Sequence, residues 1–110
     1  MNLNIEFKTI INNSGYFFIE LIVPKKELAN KPIVKKQLEY EFHIPKKRGD
    51  NLVYVVASKE LKNLDSLEEL KENILNKVRE ILKELLKEQM KYNQAVKETI
   101  KSEIIQVEED

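Results

Sequence analysis

Glu39, Glu41 and His43 are the residues whose types come nearest to a chemical centre. Two carboxylates and one imidazole at spacing i, i+2, i+4 could bind a divalent cation or exchange a proton as an acid–base pair. On an extended strand, however, same-face neighbours stand about 7 Å apart, too far for all three to grip one ion unaided. A solvated face of mixed charge is the simpler reading, and no metal is expected. The chain has no cysteine and a single histidine, which excludes thiolate sites, disulfides, cysteine nucleophiles and multi-histidine motifs. Ser14, Ser58, Ser66 and Ser102 lack the glycine-framed elbow of a serine hydrolase. Gly15 and Gly49 are the only glycines, too few for a phosphate-cradling loop. We expect no catalytic residue, no cofactor and no enzymatic activity.

Charge is the second place to look for function. Lysine plus arginine total 19, as do aspartate plus glutamate, and zero net charge argues against a dedicated phosphate-backbone binder. The distribution is uneven all the same. Residues 1–58 hold nine basic and six acidic side chains, whereas residues 59–110 hold ten basic and thirteen acidic. The basic excess gathers at Lys25, Lys26, Lys31, Lys35 and Lys36, and again at Lys46, Lys47 and Arg48. A hairpin tip carrying Lys46-Lys47-Arg48 could lie along a phosphate backbone. In a simple meander, though, the Lys25 loop and the Lys46 turn would fall at opposite ends of the sheet. No exposed aromatic residues interleave these lysines as stacking platforms.

These side chains must be held by something, and the chain changes character near residue 58. Its 110 residues suit a single domain, 1–110, with a sheet part over 1–58 and a helical part with a short acidic tail over 59–110. Leu3, Ile5 and Phe7 alternate with polar residues as a half-buried strand does. The cluster Asn12-Asn13-Ser14-Gly15 then reads as a tight turn. Residues 16–23 form a second strand, apolar on both faces and stopped by Pro24. Alternation predicts a third strand over 34–44, with Val34, Leu38, Tyr40, Phe42 and Ile44 inward and Lys35, Gln37, Glu39, Glu41 and His43 outward. Residues 45–50 read as a turn, and 52–57 as a fourth strand, again apolar on both faces. A long apolar strand at a sheet edge is an aggregation hazard. Either the strand order is therefore not a meander, or a second subunit covers that edge.

Residues 66–107 read as helix. Ser66 and Glu69 have capping-box spacing. The stripe Leu67, Leu70, Ile74, Val78, Ile81, Leu85, Tyr92, Val96, Ile100, Ile104 and Val107 has helical period, with Gln89 as its one polar gap. A helix that long would run about 63 Å, well beyond the sheet. The second half must fold back near residues 91–94 or pack against another copy. Tyr92, Val96, Ile100 and Ile104 are the expected oligomerisation residues.

The resulting expectation is an α+β fold, a four-stranded mainly antiparallel sheet packed against a long C-terminal helix. The residues assigned to partner contact are Lys46, Lys47, Arg48, Lys35, Glu39, Glu41 and His43. By elimination, the function expected is a binding or inhibitory module that occupies a partner macromolecule, most simply a protein, and self-associates through its helix. A nucleic-acid-binding or regulatory dimer using the basic tip is the alternative. A small-ligand-binding oligomer is third, with Arg48, Tyr40 and Tyr54 as contacts. No basic segment precedes an apolar run at the start of the chain, and no run reaches the ~20 apolar residues of a membrane span. A cytoplasmic protein without a membrane partner is expected.

Overall fold

The computed structural model describes residues 2–99 and 104–109. Alternation and turn chemistry build the first hairpin as expected. Strand β1, Glu6–Ile11, pairs antiparallel with β2, Tyr16–Pro24. Asn12 closes the turn, its Oδ1 accepting the amides of Ser14 and Tyr16 at 3.0 and 2.9 Å. Gly15 adopts φ 81°, a conformation that a side chain would strain.

The next segment departs from expectation. After a single helical turn, α1, Lys25–Leu28, residues 34–44 do not form a strand. Most of them belong to helix α2, Pro32–Phe42. Val34 and Leu38, four apart, are fully buried, while Tyr40 and Ile44 are 81% and 87% exposed. The apolar residues that reach the core therefore follow the helical spacing of Val34, Leu38 and Phe42, and the period-2 reading rested on two residues that face water. Pro32 at the first position favours a helix start, because its missing amide hydrogen would have been unsatisfied there anyway.

The fourth strand of the sheet comes instead from the residues read as a turn. Strand β3, Lys46–Arg48, pairs antiparallel with β4, Asn51–Glu60, and Gly49 at φ 61° makes the reversal. The strand order is β1-β2-β4-β3. Because β4 inserts between β2 and β3, the long apolar strand is central and the edge is a three-residue, fully charged strand. Short charged edges resist pairing with other chains. A bulge at Ile19/Glu20 leaves Val56 without a partner on β2.

A 3₁₀ turn, Leu64–Ser66, leads into α3, Leu67–Thr99. The start differs in detail from a capping box: Ser66 Oγ donates to the Asn63 carbonyl at 3.2 Å, and Asn63 Oδ1 accepts the Asp65 amide at 2.9 Å. Helix α3 continues unbroken through residues 91–94, so there is no fold-back at that point. Within the described residues it is traced to Thr99, and residues 104–109, where helix was expected as far as 107, carry no regular structure. At 33 residues α3 is about 50 Å long, and the molecule measures 79 × 27 × 26 Å. The core lies where α2 and the first two thirds of α3 cover one sheet face. Leu21, Val23, Leu52 and Tyr54 meet Leu28, Val34, Leu38, Val78 and Leu85 there. No helix among the described residues is long and apolar enough to cross a membrane.

Candidate functional site

Gln89, the polar gap in the helical stripe, has a structural task. Its side chain is fully buried. Oε1 accepts the amides of Ile33 at 2.8 Å and Val34 at 3.3 Å, while Nε2 donates to Asn93 Oδ1 at 2.9 Å. The first amides of a helix have no partner within it; Gln89 supplies one for α2 from a helix 55 residues away in sequence. A leucine there would continue the stripe and leave those amides bare.

The sheet has two unlike faces. Phe17, Ile19, Leu21 and Val23 of β2 share the buried side, each at most 1% exposed. On the opposite side β2 presents Tyr16, Phe18, Glu20 and Ile22, with Val53 and Val55 of β4 and Ile10 of β1 beside them in register. Tyr16 and Phe18 stack at a centroid distance of 6.3 Å. Tyr16 and Val55 are 45% and 41% exposed. The central strands thus have one covered face; the sequence expectation of cover on both sides is not met within one chain. In the middle of this open face, Arg48 of β3 reaches across β4 to Glu20, with its two terminal nitrogens 3.5 and 3.4 Å from the two carboxylate oxygens. Glu20 is almost buried by its neighbours, so the pair brings charge into a face that is otherwise apolar.

The crossover through α1 and α2 also rearranges the basic residues. The Lys25 amide donates to the Asp50 carbonyl at 2.9 Å, which puts the Lys25 loop and the β3–β4 turn at one end of the sheet, not at opposite ends. There, α1, α2 and β3 enclose an open groove of about 690 Å³ with Leu28, Pro32, Pro45 and Leu52 among its apolar lining and Lys25, Lys35, Lys47 and Glu39 as its charges. None of these four charged side chains forms an ion pair among the described residues.

The residues assigned to partner contact therefore divide. Lys35, Glu39 and Lys47 come together in the groove. Lys46 and Arg48, two apart on β3, lie on the open face with Glu20. Glu41 and His43 flank a separate shallow depression against Val55, Val56, Ala57 and Ser58. The proposed one-face cluster of Glu39, Glu41 and His43 does not exist, because on α2 Glu39 and Glu41 point to different sides. Among the described residues no three acidic or histidine side chains are grouped as metal ligands would be. The small-ligand trio is likewise dispersed: Tyr54 is buried, Tyr40 is in solvent and Arg48 is held by Glu20. Of the residues expected to mediate self-association, Tyr92 and Val96 are exposed beyond the core at 45% and 42%, Ile104 is 97% exposed, and Ile100 lies outside the described residues. Sequence reasoning missed Leu28 and Pro32 as groove residues and Glu20 as the centre of the open face. An isolated acid in an apolar strand was the available signal for Glu20.

Tyr54 is a perturbed titratable group. Burial pushes its phenol up from the ordinary value, and the Glu39 carboxylate adds to that. Its hydroxyl has no hydrogen-bond partner among the described residues. No family model, curated protein or solved structure matches this chain.

Proposed function

We propose that the protein is a small, non-enzymatic cytoplasmic binding module that self-associates through the exposed end of α3 and acts by occupying a partner protein. The observation that carries this reading is the open sheet face, where exposed Tyr16 and Val55 and half-buried Phe18 and Ile22 form an apolar surface that no element among the described residues covers. Contiguous exposed apolar surface with a polar rim is characteristic of protein interfaces. Stacked aromatics supply contact area with few torsions to freeze. The rim here is Glu6 and Lys8 on one side and Lys46 and Arg48 on the other.

The test is an affinity capture with tagged chain, with and without nuclease, comparing the native sequence with Val55→Lys. A single protein recovered by the native chain, resistant to nuclease and lost with folded Val55→Lys, supports the reading. Equal recovery by both chains overturns the placement. Self-association is read separately by sedimentation: Tyr92→Asp with Val96→Asp should give a monomer, and a persisting oligomer puts the interface elsewhere.

One observation favours nucleic acid as a second reading. Lys25 and Lys26 lie beside the β3–β4 turn at the end of the molecule that also holds Lys35 and Lys47. Material captured at low salt, removed by nuclease and lost as salt rises would replace the leading reading with this one.

A further inference from the structure

The groove between α1, α2 and β3 is distinct from the open sheet face, and its chemistry specifies an occupant. Three lysines face one carboxylate around a lining that is largely apolar, and the lysines have no acidic partner among the described residues. A complementary ligand carries apolar side chains followed by several negative charges. The chain itself contains such a segment: Ile104-Ile105-Gln106-Val107-Glu108-Glu109-Asp110. Ile104, Ile105 and Val107 are 97%, 83% and 85% exposed. We infer that residues 104–109 dock in the Lys25–Lys35–Lys47 groove of their own chain, with the aliphatic residues on Leu28, Pro32 and Ile44 and the acidic ones at the lysines.

Geometry favours the same chain over a second copy. Helix α3 leaves the core at Gln89, which is bonded to the Ile33 and Val34 amides, immediately beside groove residues Pro32 and Lys35. From there α3 runs ten further residues to Thr99, about 15 Å. An extended chain recovers that distance in about five residues, so the segment from Ile104 onward is within reach of the groove. A tether of this length provides an effective concentration on the order of millimolar, more than a dilute second copy supplies. The opposite charges add attraction that salt screens over about 10 Å at 0.1 M. Docked, the segment would deny the groove to any other acidic ligand, which makes it an internal competitor.

Because the chain has no cysteine, Gln106→Cys offers a unique attachment point for a nitroxide label on the full chain. With the ¹⁵N-labelled protein at low salt, the backbone amide signals of Ala29, Lys35 and Lys47 should lose most of their intensity. High salt, or Lys35→Glu with Lys47→Glu, should restore them. Both lysines are exposed and unpaired, so the double variant should fold; the salt titration tests the same point on the unaltered groove. Intact groove signals at low salt would overturn the inference. So would broadening that survives both salt and charge reversal. A mixture of spin-labelled unlabelled-nitrogen chain with unmodified ¹⁵N chain should show no broadening. Broadening in that mixture as strong as in the singly labelled sample would assign the groove to a second copy and overturn docking within one chain. Failure here would leave the open-face reading untouched, because neither Val55 nor its neighbours take part.

Discussion

The two faces of the sheet carry similar amounts of apolar sequence but have different fates. On one face, Leu21, Val23, Leu52 and Tyr54 are sealed by α2 and α3. On the other, Tyr16 and Val55 stay exposed and Phe18 and Ile22 half-buried, beside a cross-strand ion pair. Apolar patterning in β2 and β4 records that both faces favour burial; it does not say which of them the chain itself will bury. The difference separates residues that stabilise the fold from residues available to another molecule.

Truncation is the strongest way to break that comparison. Leu38→Ala on α2 should cost about 2–5 kcal/mol in denaturant unfolding, the range for a fully buried leucine. Ile22→Ala on the open face should cost less, because its side chain keeps part of its contact with water whereas Leu38 keeps none. Equal losses that depend on protein concentration would show the open face to be buried by another copy. Next in size, Gln89→Leu should destabilise by about 1–2 kcal/mol, despite improving the apolar stripe, because the Ile33 and Val34 amides lose their acceptor. Retention of full stability would mean that water replaces the glutamine.

Arg48→Ala should cost about 1 kcal/mol and loosen the β3 edge, seen as faster amide exchange at Leu52 and Val53. Glu20→Met, which removes the charge from the apolar face, should be near neutral. Arg48 supports the sheet as well as standing at its rim, so charge reversal of Lys46, Lys47 and Arg48 together would mix folding with binding. Lys47 alone is the cleaner probe of the groove.

The smallest expected effect concerns Tyr54. Tyr54→Phe deletes a buried hydroxyl that has no partner, and should change stability at neutral pH by less than about 0.5 kcal/mol. Its folded-state pKa is raised above the ordinary 10.0 by burial and Glu39. The resulting stabilisation is complete below pH 10 and is lost as pH rises through the raised value. The Phe variant should lack that alkaline component. Identical unfolding profiles for the two proteins above pH 10 would show that Tyr54 ionises freely.

Legibility in the sequence followed the length over which a pattern repeats. The first hairpin could be read because alternation and an Asn-Gly turn cluster agree locally. Helix α3 could be read because its stripe runs through many turns. In α2 the evidence was eleven residues in which alternation and helical spacing share Leu38 and Phe42. Tyr40 and Ile44 tipped the reading toward a strand although both face solvent. That one error put Glu39, Glu41 and His43 on a common face and set Lys25 and Lys47 at opposite ends of the sheet.

What the residues alone determined is the class of the fold, three of its strands and a long amphipathic helix, and the lack of cysteine chemistry. Each of these follows from local propensity, periodicity or composition, which act within a few residues along the chain. Tertiary structure decided the rest. It placed β4 inside the sheet, because the crossover through α2 returns β3 to the far side. It also turned Gln89 from a gap into a cap, and brought Lys25 beside Lys35 and Lys47. Those outcomes depend on which surfaces meet between different elements of the chain. Burial and hydrogen bonding are satisfied there only by the assembled whole.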